Sequence, residues 1–248
     1  MARSHRSAGP PVAATALPAA AEPLHDTALG EPAVRGFLHR PVSAPRAGLV
    51  LTHGAGSDCN APLLVALAAA FAARAVTVLR CDLPYRQARR AGPPHPGSAA
   101  LDRTGLKRAV ALLRRLCPAR IFLGGQSYGG RQASMLAAEE PQLADALVLL
   151  SYPLHPPGRP AQLRTAHFPR LRAPTLFAHG SVDPFGSLDE LETARLLVPA
   201  RTALIAIDGA GHGLARGTRA SRPAAGTVER IVDGFLAFVG DKEATHEV

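Results

Sequence analysis

The sequence predicts an α/β protein in which helices cover both faces of a mostly parallel, twisted sheet. Short apolar runs alternate with segments of helical periodicity from about Val34 onward, as β-α-β units do. Polar residues suited to catalysis follow several of these runs directly, and ligands bind such sheets at the carboxyl ends of the strands. A chain of 248 residues is long enough for one domain of this kind without disulfides or metals.

Seven strands are predicted, each a short run of mainly aliphatic residues bounded by turn-forming residues or by a helical segment. They are expected at residues 34–39, 48–53, 76–80, 120–124, 146–151, 175–179 and 203–207.

Helices are predicted between these strands, because apolar residues recur there at a spacing near 3.6. Residues 62–74 are rich in Leu and Ala. Two further stripes consist of Leu106, Val110, Leu113 and Leu116, and of Val228, Ile231, Val232, Phe235 and Val239. We interpret all three as faces that pack on the sheet.

The two ends of the chain differ in composition from the rest. Residues 1–30 are rich in Ala and Pro and are expected to be a disordered tail, residues 31–240 the domain, and residues 241–248 a second tail. Arg3 and Arg6 resemble the start of a secretory signal, but Pro18 interrupts a poorly apolar run. No segment approaches the roughly 18 apolar residues of a membrane helix, so no membrane partner is expected.

The formal charge of +9 does not indicate a nucleic-acid partner, because the basic residues are spread along the whole chain and 26 of the 28 are Arg. Aromatic residues are few and do not alternate with basic ones, as a stacking surface requires.

The three cysteines, Cys59, Cys81 and Cys117, are odd in number and lack metal-ligand spacing. We therefore expect no disulfide framework, no metal, no cofactor and a cytoplasmic location.

Ser127 is the candidate nucleophile. It lies in a G-x-S-x-G sequence, residues 125–129, directly after an apolar run. A serine on a sharp turn between strand and helix needs flanking residues without a Cβ atom. This composition produces the pattern by chance on the order of 0.1 times per chain, so a glycine-rich packing turn is the alternative.

His212 is the candidate base, since it follows the last predicted strand in the glycine-rich loop 209–213. The acid that orients it should lie between Ser127 and His212 in the chain, and Asp183 fits, immediately after the strand at 175–179. Asp208 is the rival acid, but it lies only four residues before His212.

The backbone N–H groups of Tyr128 and Ala55 are the candidate oxyanion donors. In this arrangement one N–H comes from the residue after the nucleophile and the other from the loop after an earlier strand. Ala55 lies in such a loop, between Gly54 and Gly56. A tight turn that merely packs is the alternative for this loop.

The chain resembles the α/β-hydrolase superfamily over about residues 33–240. The segments that carry the resemblance are residues 51–56 (LTHGAG), 82–85 (DLPY), 124–131 (GGQSYGGR), 152–158 (YPLHPPG) and 183–186 (DPFG). They resemble the branch that contains the third subunit of the NSL histone-acetyltransferase complex and a testis-expressed relative, near the dienelactone hydrolases. The resemblance implies an α/β-hydrolase fold. Members of this branch often have Met where this chain has Tyr128.

Residues near the expected catalytic edge should shape the substrate pocket. We expect His53, Tyr85, Arg86, Tyr152 and His155 to contact a small-molecule substrate. The segment from Ser151 to Thr175 is too short for a large lid domain. Arginines follow Asp82 and Tyr152 in the chain, so the substrate is expected to carry an acidic group; solvated arginines are the alternative.

The sequence therefore predicts a serine hydrolase without a large lid that cleaves a small ester, lactone or thioester through an acyl-serine. The competing interpretation is a non-catalytic module that binds a protein partner, and acyl transfer to an acceptor other than water also stays open. The oligomeric state is not predicted.

Overall fold

The structure is a computed structural model that describes residues 20–217 and 223–240. Its centre is a sheet of eight strands in the order β1-β2-β4-β3-β5-β6-β7-β8. The strands are β1 (Glu22–Asp26), β2 (Val34–His39), β3 (Ala47–Thr52), β4 (Val76–Cys81), β5 (Arg120–Gln126), β6 (Ala146–Leu150), β7 (Thr175–Gly180) and β8 (Thr202–Ile207). The helices are α1 (Pro62–Ala72), α2 (Pro84–Ala88), α3 (Ala99–Leu116), α4 (Tyr128–Glu139), α5 (Leu188–Arg195) and α6 (Thr227–Gly240), with 3-10 turns at Pro96–Ser98 and Phe168–Arg170.

Strands β3 to β8 all run in one direction and pair with one another in parallel. The first two strands differ, since β1 pairs with β2 and β2 with β4 antiparallel. The mostly parallel sheet is therefore confirmed. The parallel part brings the carboxyl ends of β3, β5, β6, β7 and β8 to one edge.

Two hydrophobic layers cover the sheet, one on each face. Helices α3 and α4 pack on one face, and α1 and α6 pack on the other. Successive residues of β5 alternate between them, because side chains of a strand point to opposite faces: Phe122 belongs to the α1/α6 layer and Leu123 to the α3/α4 layer. Both residues are almost fully buried, which explains why central strands read as continuous apolar runs.

All seven predicted strands are present, with ends that differ by no more than two residues from those predicted, but β1 was not predicted. Its residues, Glu22–Asp26, fall inside the segment expected to be a disordered tail, so the boundary at residue 30 is wrong. This strand pairs on one side only and is largely exposed, so it lacks the apolar signal of the central strands. Residues 1–19 and the tail expected at 241–248 lie outside the described residues.

The connection between β6 and β7, residues 151–174, contains no lid domain and lies against the carboxyl edge of the sheet. Phe168 on its 3-10 turn is fully buried and lies 5.2 Å from the ring of Tyr152. Of the helices described, none is long and apolar enough to cross a membrane.

Phe235 of α6 packs at the centre of the α1/α6 layer, and its substitution tests the packing of that layer. Its ring is fully buried and meets Phe122 and Phe71 edge-on at centroid distances of 5.2 and 6.0 Å. Phe235→Ala should lower the free energy of unfolding by about 3–5 kcal/mol, measured by urea denaturation. Leu196→Ala, a control at a side chain that is 77% exposed, should change it by less than about 0.5 kcal/mol. Equal effects of the two substitutions would contradict this packing.

His39 of β2 predicts how stability depends on pH. Its Nε2 accepts a hydrogen bond from Nε of buried Arg80 at 2.8 Å, and burial, followed by the Arg80 charge, lowers the pKa of His39 to about 4. The unfolded chain, with an ordinary histidine pKa of about 6.5, binds the proton first as the pH falls. The part of the free energy of unfolding that depends on neutral His39 should therefore be fully present above about pH 6.5 and be lost as the pH approaches about 4.

His39→Gln retains an acceptor for Arg80 and removes this titration. The free energy of unfolding of the variant should fall less steeply between pH 7 and pH 5, by at most about 1.4 kcal/mol per pH unit. The exposed His25→Gln is the control. Identical pH dependence in wild type and His39→Gln would show that His39 does not contribute.

Candidate active site

Ser127 occupies a strained turn between β5 and α4. Its backbone has φ of 51° and ψ of −117°, a conformation that residues with a Cβ atom rarely adopt. The Ser127 N–H donates to the carbonyl of Leu150 at 2.8 Å, and its own carbonyl accepts the N–H of Arg131 at 2.9 Å. The turn is thus tied to β6 on one side and to the first turn of α4 on the other.

The glycines that flank Ser127 are required by two different close approaches. A Cβ at Gly125 would lie 2.8 Å from the backbone carbon of Gly129, so the turn folds back on itself there. A Cβ at Gly129 would lie 2.5 Å from the carbonyl oxygen of His53. The second glycine therefore admits the loop after β3 into contact with the turn.

Ser127, His212 and Asp183 form a continuous hydrogen-bonded chain. Nε2 of His212 lies 2.7 Å from Oγ of Ser127, and Nδ1 lies 2.8 and 3.0 Å from the two carboxylate oxygens of Asp183. The structure therefore brings together the three residues that the sequence singled out. Asp208, the rival acid, is exposed, and its carbonyl accepts a hydrogen bond from Arg216.

The Asp183 carboxylate is held in a buried pocket. Its side chain is completely inaccessible to solvent, and Oδ1 accepts the N–H of Phe185 at 2.9 Å. Phe185 also stacks on the imidazole of His212, with ring centroids 4.1 Å apart. His179, which sequence reasoning did not select, lies with Nε2 3.6 Å from Oδ2 of Asp183 and is fully buried. These contacts fix the orientation of the acid and of the ring that it holds.

The loop that contains Ala55 lies directly against Ser127. A Cβ built at Gly54 would lie 3.5 Å from Cβ of Ser127. The carbonyls of Gly54 and Ala55 both accept hydrogen bonds from the Tyr85 hydroxyl, at 3.1 and 3.0 Å. Since both carbonyls are hydrogen-bonded to the Tyr85 hydroxyl, the orientation of the peptide planes around Ala55 is fixed.

Tyr128 is the first residue of α4, where backbone N–H groups have no partner within the helix. Its hydroxyl donates to Oδ2 of Asp102 at 2.7 Å, and Oδ1 of Asp102 accepts the N–H of Tyr85 at 3.0 Å. Asp102 is fully buried, and burial raises its pKa. Sequence reasoning missed it, although its position one turn before Leu106, in register with the apolar stripe of α3, was a signal.

Two of the residues expected to contact substrate, His53 and Tyr85, instead support the loop that contains Ala55. His53 is fully buried; its Nε2 accepts the N–H of Leu83 at 3.0 Å and its Nδ1 lies 2.9 Å from the carbonyl of Gly54. Burial lowers the pKa of His53, so the ring is neutral and carries its proton on Nδ1. Tyr85 is only 5% exposed. Both expectations are corrected, because these side chains lie behind the loop.

Arg86 likewise lies away from any substrate. The residue is 4% exposed, and its guanidinium donates to backbone carbonyls only. The four acceptors are the carbonyls of Ser57, Arg89, Ala55 and Gly92, at 2.7, 3.2, 3.1 and 3.0 Å. Four of the five N–H groups of the guanidinium are thus bonded to backbone carbonyls and the side chain is buried, so Arg86 supports the surrounding loops instead of facing a substrate, which corrects that expectation.

Tyr152 and His155 also face the interior. Tyr152 is fully buried and donates its hydroxyl to the carbonyl of Arg164 at 2.6 Å. Nδ1 of His155 lies 2.8 Å from the carbonyl of Pro156, and Nε2 lies 3.5 Å from Glu190. These residues brace the connection between β6 and β7 and do not offer a polar group to a ligand, contrary to expectation.

A cavity of ≈ 400 Å³ opens beside His212. It is lined by Val182, Pro184, Gly209, Gly211, His212, Gly213, Ala215 and Gly217. Within residues 20–217 and 223–240, no group of three or more His, Cys, Asp or Glu side chains could hold a metal ion.

The fold is similar to that of several solved structures. A dienelactone hydrolase from Anabaena variabilis is 21% identical and superposes with a TM-score of 0.70, covering 91% of this chain and 98% of that one. Est1E from Butyrivibrio proteoclasticus is 16% identical, with a TM-score of 0.69 over 88% of this chain and 99% of its own. An α/β serine hydrolase without a lid from Xanthomonas campestris is 15% identical, with a TM-score of 0.64 over 90% and 94%.

These likenesses establish the fold, and a family model establishes the family. The model of the alpha/beta hydrolase domain matches residues 45–240, which include the whole of the site described above. The chain belongs to the α/β-hydrolase family.

Proposed function

We propose that this protein is a serine hydrolase that cleaves a small ester, lactone or thioester through an acyl-serine intermediate. The observation that carries the proposal is the hydrogen-bonded chain from Ser127 Oγ through His212 to Asp183, with contacts of 2.7 and 2.8 Å. A serine hydroxyl is a weak nucleophile at neutral pH. A base in contact with it takes the hydroxyl proton during the attack and so makes the oxygen a stronger nucleophile.

Acylation begins when Oγ of Ser127 attacks the carbonyl carbon of the substrate and Nε2 of His212 takes the hydroxyl proton. The carbonyl oxygen becomes an oxyanion, for which the N–H groups of Ala55 and Tyr128 are the proposed donors. His212 then gives its proton to the leaving oxygen or sulfur as the bond to carbon breaks. Asp183 accepts the hydrogen bond from Nδ1 and stabilises the imidazolium.

Deacylation repeats these steps with water as the nucleophile. His212 removes a proton from water, the hydroxyl attacks the acyl carbon, and Ser127 leaves with the proton returned by His212. The carboxylic acid product and free Ser127 complete the cycle, and no cofactor takes part in the proposed sequence.

Substrates are proposed to be small because the connection between β6 and β7 is folded against the sheet and the described chain carries no lid domain.

Within the family, we propose that the chain belongs to the branch of the third NSL subunit and its testis-expressed relative, because residues 152–158 and 183–186 resemble that branch. A cytoplasmic location is proposed from three buried cysteines that are all free thiols, Cys59, Cys81 and Cys117.

A fluorophosphonate probe tests the proposal against a non-catalytic binding module. In the expected reaction Oγ of Ser127 forms a bond to phosphorus and fluoride leaves, so mass spectrometry should find the adduct on the peptide that contains Ser127. Ser127→Ala should abolish labelling and hydrolysis of short 4-nitrophenyl esters, whereas Ser43→Ala, at an exposed loop position, should change neither. A folded wild-type protein that neither labels nor hydrolyses any ester would exclude the hydrolase.

Asp183→Asn tests the proposed role of the acid. The amide presents an N–H group to Nδ1 of His212 and favours the tautomer that cannot accept the serine proton, so kcat should fall by about 10³–10⁴-fold. Asp208→Asn, the matched substitution at the exposed carboxylate, should leave kcat unchanged. If kcat fell more in Asp208→Asn than in Asp183→Asn, the acid that orients His212 would be Asp208 and the proposed role of Asp183 would be wrong.

A further inference from the structure

Strand β8 is one edge of the sheet and has main-chain groups that face away from it. The strand pairs with β7 alone, and the N–H of Thr175 donates to the carbonyl of Arg201 at 2.9 Å, so the odd-numbered residues of β8 face β7. Successive residues of a strand direct their N–H and C=O groups to opposite sides. Thr202, Leu204 and Ala206 therefore direct these groups outward.

This outward row, the main-chain groups of Thr202, Leu204 and Ala206, is called the β8 edge below. Within residues 20–217 and 223–240, no main-chain hydrogen bond joins these three residues to another segment. The strand is only partly buried from Thr202 to Ala206, so another chain can reach it. An unpaired strand edge of this kind is a template for pairing with a further strand.

The opposite edge of the sheet carries features that prevent such pairing. Strand β1 contains Glu22, Pro23, His25 and Asp26 among its five residues. Charged side chains and proline are the usual means by which an edge strand is kept from pairing. Strand β8, with the sequence TALIAI, has neither, and Thr and Ile are enriched in strands. Of the two edges, β8 is therefore the one suited to association.

Apolar side chains accompany the β8 edge on both faces of the sheet. Leu204 packs against the α3/α4 layer and Ile205 against the α1/α6 layer, and both stay partly exposed. Nη1 of Arg195 donates to Oγ1 of Thr202 at 3.0 Å, which places the end of α5 beside the start of β8. Leu197, just after α5, is 48% exposed. A partner at this edge would cover these side chains as well as the main chain.

We propose that the β8 edge binds the β8 edge of a second copy of this chain in the antiparallel sense, joining two sheets of eight strands into one. Two identical strands related by a two-fold axis pair in this sense, and such an isologous contact closes at two copies. Pairing of β8 with β1 of another copy would be heterologous and would continue into a polymer. The charges and proline of β1 oppose that arrangement.

The pleat of β8 fixes the register of the pair. Opposite residues that exchange hydrogen bonds must both face outward, so all three outward residues are paired when the axis passes beside Leu204. Leu204 then faces Leu204 of the partner subunit, and Thr202 faces Ala206 of the partner subunit. The three pairs supply about six main-chain hydrogen bonds. Arg201 precedes β8 and Asp208 follows it, so each end of the pair combines a basic and an acidic residue.

The length of the contact sets its strength. A pair of six-residue strands is about 20 Å long, which makes a smaller contact than the roughly 800 Å² per partner of a typical stable interface. We therefore expect a Kd on the order of 10 µM, with monomers at low concentration.

Sedimentation equilibrium of the full chain tests the dimer. Between about 1 and 200 µM, the mass should rise from 25.8 kDa toward twice that value. Ala206→Pro should stay monomeric, because proline removes an outward N–H and no hydrogen bond to β7. Ala206→Val, which keeps the N–H, should dimerise like wild type. Ala206→Lys places a charge at the edge and should also stay monomeric, so it serves if the proline variant does not fold.

Three results would overturn the inference. They are a wild type that stays monomeric over the whole range, a dimer that persists in a folded Ala206→Pro or Ala206→Lys variant, and masses that grow beyond two copies. None of these measurements depends on catalysis, so the dimer stands or falls separately from the proposed hydrolysis.

Leu204→Cys tests the register. The two introduced thiols should lie across the axis with Cα atoms about 5.5 Å apart, within the span of a disulfide. Oxidation with copper phenanthroline should therefore give a covalent dimer on a non-reducing gel, whereas His25→Cys, at an exposed position of β1, should stay monomeric. The three native cysteines are buried and should not cross-link. A covalent dimer from His25→Cys and none from Leu204→Cys would show that the copies meet at another surface.

Discussion

The strained backbone of Ser127 is the constraint on which the rest of the site depends. A serine at φ of 51° costs on the order of 1–3 kcal/mol, and it persists only where its surroundings leave no alternative. Here the hydrogen bond to Leu150 ties the turn to β6, and the close approach of Gly129 to His53 packs it against the loop after β3. The strain directs Oγ out of the sheet edge, where His212 meets it at 2.7 Å.

Buried polar side chains hold the loops that surround this turn, which is how a rigid site arises from segments without regular structure. Arg86 and Tyr85 bind carbonyls of the loop around Ala55, while Asp102 joins the start of α2 to the side chain of Tyr128. His53 stays neutral because burial lowers its pKa. In this network the N–H of Tyr85 and the hydroxyls of Tyr85 and Tyr128 all have acceptors.

The positions of seven strands along the chain and the convergence of Ser127, Asp183 and His212 could be predicted because both follow from local patterns: buried strands are continuous apolar runs, and the ends of parallel strands share one edge. Strand β1 could not, since an exposed edge strand with one pairing partner needs little apolar character. Chain position also placed His53, Tyr85, Arg86, Tyr152 and His155 at the correct edge, but whether a side chain faces a ligand or the core depends on packing between distant segments. Asp102 was missed for the same reason, as its partners Tyr85 and Tyr128 lie 17 and 26 residues away.

The central claim is that the turn at Ser127 and the loop around Ala55 together create a site for a tetrahedral oxyanion. The most direct measurement is a crystal structure of the protein phosphonylated at Ser127, since the adduct mimics the tetrahedral intermediate. One phosphonyl oxygen should lie within about 2.7–3.1 Å of the backbone nitrogens of both Ala55 and Tyr128, with His212 still hydrogen-bonded to Asp183. A phosphonyl group whose oxygens all face solvent, with neither N–H in contact, would contradict it.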